Sequence, residues 1–484
     1  MRDAWHVAAV GKEVRALLPL WLAAMAAGAA SLSGDASIAL LTTMACGLGA
    51  VVLGAEAIGF EYRYRTFDLL MAQPVNRTRQ LAVKLGVLAV LLAALAAMIV
   101  VGTWADSGSV VGPQRAFQRF LTQMLVAVPL LALFVAPALT LLCRSTLGGA
   151  IFTICLPILA YLVADLSAVM LFDAGDARGI DDFKAAAFWP AVLTTCAAGA
   201  VATWLLFTRL EAVGTRGESI EIPLWRDRST TSAVTRRHPL AQLARKELGL
   251  QQMAFVVAGV FVALWVGISL VGSRQSGAYK LELDDMTPIY LIYLGFLSML
   301  VGALAAAEEQ SLGTAPADML LPIAGWKRWA VKASVAFALM LGLGVALPAI
   351  LGIGSLPVGR EGGLVVIALV LTALGLYVST LSANGVAALV ATIVVAIAIP
   401  STVGLALSAM VYLIPQSAGS ISRVTNPIAA STLAAPFVVL LLWLGMRNQG
   451  VLDGIWPRAA RQALFIAATM SVLALIIGLT FPRT

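Results

Sequence analysis

Residues 54–84 read GAEAIGFEYRYRTFDLLMAQPVNRTRQLAVK, and residues 302–332 read GALAAAEEQSLGTAPADMLLPIAGWKRWAVK. Ten of these 31 positions are identical, including the final Ala-Val-Lys of each stretch. Glu, Thr, Pro and Lys have the same spacing in both, and each stretch lies between two strongly apolar segments. A repeat at a fixed offset is typical of an architecture built twice from one unit. The sequence therefore predicts two related halves in tandem.

The apolar composition predicts that both halves lie in a membrane. Hydrophobic residues make up 60% of the chain and the mean hydropathy is +0.93. A spanning helix needs about 20 mostly apolar residues, and helices satisfy their own backbone groups in lipid. We predict an all-α multi-pass membrane protein. Its thirteen spans are predicted at 14–32, 37–58, 81–104, 120–142, 148–171, 186–208, 251–271, 287–307, 331–353, 363–382, 385–413, 427–446 and 460–481.

The repeat divides the chain into four segments. Residues 1–208 are predicted to form a first six-span unit, and residues 209–237 a cytoplasmic linker. Residues 238–450 form the second six-span unit, and residues 451–484 contribute an additional C-terminal transmembrane helix. Both halves begin on the same side of the membrane, so the repeat is predicted to be parallel.

The distribution of Lys and Arg predicts the orientation. With the N-terminus inside, 23 of the 32 basic residues fall in inner segments, as the positive-inside rule requires. We therefore expect a multi-pass protein of the cell inner (cytoplasmic) membrane with a cytoplasmic N-terminus. Anionic lipid at the inner face accounts for the net charge of +7. Membrane lipid is thus an expected partner, and nucleic acid is not.

Each copy of the repeated loop predicts a short helix at the inner face. Thr66 and Thr314 are residue types that cap helix N-termini, and Pro74 and Pro322 end the helix. An apolar helix held at the surface by two spans favours docking of another protein over a lipid-facing turn. The apolar residues predicted to face the cytoplasm are Phe67, Leu69, Leu70 and Met71 in the first copy, and Met319, Leu320 and Leu321 in the second.

Acidic and basic residues complete the shared loop pattern. Glu61 and Glu309 follow the second span of each half, and Lys84 and Lys332 lie at the start of the third. We interpret the two carboxylates as groups that fix each loop to a basic neighbour.

This Glu–Thr–Leu-Leu–Pro–Lys pattern resembles the ABC-2 type permease family, the membrane subunits of one class of ATP-binding-cassette (ABC) exporters. Lys12-Glu13 and Lys246-Glu247, which precede the first span of each half, add to the resemblance. So do the short turns at 142–145 and 381–384. The resemblance implies two six-span ABC-2 type permease units fused in one chain, each preceded by an interfacial elbow helix. The additional last span departs from this pattern.

The resemblance also implies that the two repeated loops are coupling helices, at which a separate ABC ATPase subunit docks, in two copies. The implied docking residues are Glu61, Thr66, Phe67, Leu69, Leu70, Met71, Pro74, Lys84, Glu309, Thr314, Met319, Leu320, Leu321, Pro322 and Lys332.

The sequence contains no GxxxxGK[ST] phosphate-binding loop. We therefore expect no ATPase activity and no cofactor in this chain, with ATP and Mg²⁺ held by the partner ATPase. The four cysteines lack the spacing of a metal site or a disulfide framework, so no metal is expected.

Few ionisable residues fall within the spans. Asp165 in the fifth span is the candidate for substrate contact, and the other substrate-binding residues are not predicted. Pro157 and Pro400 are expected to permit kinks in the fifth span of each half. The remaining interior is rich in Gly and Ala, which suits close helix packing and a hydrophobic or amphipathic substrate.

Two other classes of protein fit parts of the sequence. An ion-coupled secondary transporter is also built from repeats, but it favours paired carboxylates in the middle of the membrane. A membrane scaffold without transport activity has no distinguishing sequence feature. The neighbouring gene distinguishes these classes. If it encodes an ATPase, the permease is favoured over the secondary transporter and the scaffold.

Overall fold

The computed structural model is helical, and the residues that it describes contain no β-strand. The prediction of an all-α chain is confirmed for this part of the protein. The described residues are 2–30, 36–63, 66, 69–70, 75–106, 114–143, 145–171, 177–209, 239–274, 287–312, 323–352, 361–382, 384–396, 427–449, 457–466 and 469.

The described helices follow the predicted spans closely. In the first half they are α1 Arg2–Ala30, α2 Ala36–Arg63, α3 Arg77–Asp106, α4 Gln114–Phe134, α5 Ala136–Cys143, α6 Thr146–Leu171 and α7 Ala177–Arg209. In the second half they are α8 Pro239–Leu250, α9 Gln252–Arg274, α10 Thr287–Leu312, α11 Gly325–Leu339, α12 Glu361–Ser379, α13 Gly385–Ala396 and α14 Pro427–Asn448. Helix α11 continues through a π-helical segment, Met340–Ala346, into a last turn, Leu347–Ile350. Residues 457–466 are also helical.

Five described helices are long and apolar enough to cross a membrane, or seven if each of two bent pairs is one span. The seven coincide with seven of the predicted spans, which supports a multi-pass membrane protein. The number of thirteen spans remains a prediction, because the described parts of the other six do not meet the combined requirement of length and hydropathy.

The chain divides into two compact units, Met1–Arg226 with Val262–Lys280 and Asp227–Phe261 with Leu281–Thr484. In the first unit α2 is central and packs against α1, α3, α4, α5 and α6. In the second unit α10 packs against α8, α11 and α12. Each central helix is the predicted second span of its half. Small residues along these helices allow neighbouring backbones to approach closely.

Two glycines in the repeated stretch mark the closest of these approaches. A Cβ atom at Gly54 would lie 2.1 Å from the carbonyl oxygen of Ala132 in α4. A Cβ atom at Gly302 would lie 2.5 Å from the carbonyl oxygen of Thr372 in α12. Both positions thus bring the second span against the backbone of the fourth span, and neither leaves room for a side chain.

The fourth span of the first half, predicted as a single span at 120–142, is broken. Helices α4 and α5 meet at Val135 with a bend of 55°. Pro137 explains the bend, since it has no N–H to donate to the carbonyl of Leu133 and its ring crowds that carbonyl. Helix α6, in contrast, continues through Pro157 without ending. Pro400 lies outside the described residues.

The beginnings of the two halves differ. The helix implied as an elbow is separate in the second half, where α8 and α9 meet at Gln251 with a bend of 53°. The buried side chain of Gln251 donates to the carbonyl of Val301 at 2.9 Å and fixes this corner. In the first half α1 is one continuous helix, so the expected separate elbow is absent among its described residues.

Candidate functional site

A buried lysine and two carboxylates join the first three helices of the first unit. Lys84 Nζ donates to Glu13 Oε1 at 2.8 Å, to Glu61 Oε1 at 3.2 Å and to the carbonyl oxygen of Ala57 at 3.3 Å. Lys12 Nζ donates to Glu61 Oε1 at 2.7 Å. The side chains of Lys84 and Glu61 are 3% and 1% exposed, whereas that of Lys12 is 47% exposed. One lysine is therefore buried and the other lies at the edge.

The second unit contains the same arrangement. Lys332 Nζ lies 2.8 Å from Glu247 Oε1 and 2.6 Å from Glu309 Oε2, and it donates to the carbonyl oxygen of Ala305 at 3.3 Å. Lys246 Nζ donates to Glu309 Oε1 at 2.8 Å. Lys332 and Glu247 are each 2% exposed, and Lys246 is 33% exposed. We call the two sets of four residues the first and second ion-pair networks.

Each network satisfies its charges internally. A lysine ammonium group has three donors, and each buried lysine here has two carboxylates and one carbonyl as acceptors. Two lysines also balance two glutamates in each network. Such complete pairing is what allows charges to be buried, because an unpaired charge is costly in a low-dielectric interior.

The two networks contain the basic neighbours of Glu61 and Glu309. The sequence predicted such neighbours without identifying them, and they are the Lys84–Lys12 and Lys332–Lys246 pairs. Glu13 and Glu247 were missed as partners. The signal was present in the Lys-Glu pair that precedes the first span of each half.

Thr66 connects the first copy of the loop to its network. Its hydroxyl donates to the second carboxylate oxygen of Glu61, and its backbone N–H donates to the carbonyl of Glu61 at 2.9 Å. Its own carbonyl accepts from the N–H of Leu70 at 2.9 Å. Thr66 thus begins a helical turn while its side chain binds the buried carboxylate.

The prediction that both Leu69 and Leu70 face the cytoplasm is wrong for Leu70. Leu69 is 68% exposed, but Leu70 is 7% exposed. Leu70 packs with Ile58, Leu81 and Phe207 in an apolar cluster beneath the loop. Adjacent residues of a helical turn point in different directions. Leu70 therefore anchors the loop, and Leu69 is its exposed apolar residue.

Several predicted residues lie outside the described part of the chain. They are Phe67, Met71 and Pro74 in the first loop, and Thr314, Met319, Leu320, Leu321 and Pro322 in the second. Asp165 lies within α6, but its side chain is not among those described. Its predicted contact with substrate remains untested.

The turn after the fourth span is also built alike in both units. The N–H of Gly148 donates to Ser145 Oγ at 3.3 Å, and the N–H of Ala387 donates to Asn384 Oδ1 at 2.8 Å. Ser145 and Asn384 are thus the N-cap residues of α6 and α13. These caps fall within the two short turns, 142–145 and 381–384, that correspond in the two halves of the sequence.

The described residues form a helical protein with five to seven helices that could span a membrane, which is consistent with a multi-pass membrane protein. No family model, no curated protein and no solved structure matches this chain. Among the described residues, no group of three or more His, Cys, Asp or Glu side chains is placed to hold a metal ion.

Proposed function

We propose that this chain is the membrane-spanning permease subunit of an ATP-binding-cassette transporter of the ABC-2 type. Its substrate is hydrophobic or amphipathic, and transport is energised by a separate ATPase that docks on the two repeated loops. The observation that carries the proposal is the ion-pair network, which occurs in both units at the base of the same loop.

The first network makes the loop a mechanical connection. Glu61 lies at the end of α2 and Lys84 lies near the start of α3, so their contact closes the loop at its base. Glu13 ties the same lysine to α1. Leu70 and Thr66 fix the loop from within. A force applied to Leu69 by a docked protein would therefore reach three transmembrane helices together.

Duplication of these features supports a tandem parallel repeat. The networks, Gly54 with Gly302, and the N-caps Ser145 and Asn384 recur in the same order along the two halves. A repeat of this kind offers two equivalent docking loops, which fits two ATPase subunits. Each ATPase subunit would bind ATP and Mg²⁺, and this chain would bind neither.

Replacing Leu69 with Asp tests the proposal directly. Leu69 is exposed, so the change should leave folding intact, and a charge at the centre of an apolar contact should weaken docking about tenfold. The measurement is the affinity of the purified, reconstituted chain for an ABC ATPase subunit that co-purifies with the wild-type chain, together with the ATP hydrolysis of the complex. Hydrolysis by the chain alone should be absent.

Leu70→Asp is the matched control for this experiment. It places the same charge one residue away, but in the buried cluster, so it should lower the stability of the chain itself. Leu69→Gln should give an intermediate loss of affinity. If Leu69→Asp binds the ATPase as wild type does, and hydrolysis is unchanged, the loop is not the docking site.

The proposed orientation is tested by thiol labelling in a background without the four native cysteines. Cysteine at Ser109, Asp176 or Gly277 should react with an impermeant reagent added outside the cell. Cysteine at Arg79 or Trp326 should react only after the membrane is opened, although both native side chains are exposed on the protein. The opposite pattern would place the N-terminus outside.

A further inference from the structure

The third span of the second half contains a π-helical segment, Met340–Ala346, in the predicted outer half of the helix that runs from Gly325 to Ile350. At the end of this segment the N–H of Leu347 donates to the carbonyl of Gly342, five residues back, as π-helical winding requires. Short π-helical segments within α-helices are rare and occur frequently at functional sites.

Pro348 explains why the helix winds differently here. It has no N–H, so it has nothing to donate to the carbonyl of Gly344, four residues earlier, and its ring crowds that carbonyl in a regular α-helix. The carbonyl of Leu343 is affected as well. The N–H of Leu347 is bonded to Gly342 instead, and the next donor in a π-helix would be Pro348.

Two tyrosines of α10 donate to these two carbonyls. The hydroxyl of Tyr293 donates to the carbonyl of Leu343 at 2.8 Å, and that of Tyr290 donates to the carbonyl of Gly344 at 3.3 Å. Both tyrosines are buried. Phe261 stacks on the ring of Tyr293, with ring centroids 3.9 Å apart and an interplanar angle of 9°, and so holds the hydroxyl in place.

The corresponding positions of the first half have different residues. At the same offset as the repeated loops, Tyr290, Tyr293 and Pro348 correspond to Thr42, Ala45 and Val100. Helix α3, which contains Val100, is a regular α-helix from Arg77 to Asp106. The two halves thus share their ion-pair networks but differ at the opposite end of the third span.

We propose that Met340–Ala346 is a hinge at which the outer end of α11 moves away from α10. The carbonyls of Leu343 and Gly344, next to Pro348, accept hydrogen bonds from side chains of another helix, and these two bonds fix this part of the third span to α10. Tyr290 and Tyr293 hold the hinge closed, and their release opens the outer end of the second unit. The hinge is a property of this fold and does not depend on the proposed ATPase.

Thiol accessibility next to the hinge tests this proposal. Leu294 is 3% exposed and is the side chain nearest to a Cβ atom built at Gly344, at 2.9 Å. In a background free of native cysteines, Leu294→Cys should react with an impermeant methanethiosulfonate reagent only when the hinge opens. Adding Tyr293→Phe should raise its labelling rate about three- to tenfold, the factor expected for the loss of one hydrogen bond.

Pro348→Ala should have the opposite effect on the labelling rate of Leu294→Cys. It restores the backbone donor, so α11 should wind as a regular α-helix and labelling of Leu294→Cys should become slower than in the parent. Leu300→Cys, on the same helix and fully buried, is the control reporter. Its rate should be the same in all backgrounds. The hinge is refuted if neither substitution changes the labelling rate of the cysteine at position 294. It is also refuted if Tyr293→Phe raises the labelling rate at position 300 by the same factor.

Discussion

Replacing Lys332 with Met is expected to lower the free energy of unfolding by about 3–5 kcal/mol, the usual cost of removing one partner from a buried ion pair. Met keeps the volume of the lysine stem but removes the charge. Glu247, whose side chain is 2% exposed, would then lose its ion-pair partner, while Glu309 would keep Lys246. Unfolding in mixed detergent micelles, followed by the loss of helical circular dichroism, measures the change.

Two variants separate the charge from other effects of the Lys332→Met substitution. Lys246→Met removes the partly exposed lysine of the same network and should cost no more than about 1 kcal/mol, as for ion pairs near the surface. Adding Glu247→Gln to Lys332→Met removes the stranded charge and should recover much of the loss. If Lys332→Met and Lys246→Met cost the same, the buried pair does not stabilise the unit.

The first network allows the same comparison in the other unit. Lys84→Met should be destabilising for the same reason, but Glu61 keeps both Lys12 and the hydroxyl of Thr66. The decrease in the free energy of unfolding should therefore come mainly from the lost ion pair with Glu13, whose side chain is 10% exposed. We expect the Lys84→Met cost to be somewhat smaller than that of Lys332→Met.

Hydropathy was sufficient to predict most of the helices, because a run of about 20 mostly apolar residues is long enough to cross a membrane as a helix. The predicted span 81–104 lies within α3, and 186–208 lies within α7. The bend at Val135 was missed although its cause, Pro137, is visible in the sequence. A kink was expected at Pro157, where the helix continues. A proline shows where a helix is weakened, and the surrounding packing decides whether it breaks.

The candidate site was predictable only in part. Glu61 and Lys84 were recognised because they recur at one spacing in both halves. The contact of Lys84 with Glu13 was not, because it joins residues 71 positions apart and depends on how α1 packs. The burial of Leu70 was hidden for a similar reason. Its neighbours Ile58 and Phe207 come from other helices. Two adjacent leucines are also too few to show a helical periodicity, so the sequence does not indicate which of them is buried.

The last expectation concerns the two glycines that bring the second and fourth spans together. Gly302→Ala should destabilise the second unit by about 3 kcal/mol, at the upper end of the usual cost of overpacking. The new Cβ atom would lie 2.5 Å from the carbonyl oxygen of Thr372, a backbone atom that can yield only if α12 moves as a whole. Gly54→Ala should cost at least as much, since its Cβ atom would lie 2.1 Å from the carbonyl of Ala132.

Gly295→Ala, on the same helix as Gly302, is the matched control. A Cβ atom there would have no neighbour within 4 Å, and Ala is the better helix former by about 1 kcal/mol. The control should therefore be neutral or stabilising in the same unfolding assay. Opposite signs for two identical substitutions in one helix would show that close backbone contact with α12, and not helix propensity, requires glycine at position 302. If Gly302→Ala is tolerated like Gly295→Ala, α10 and α12 do not pack this closely, and the repeated glycine has another role.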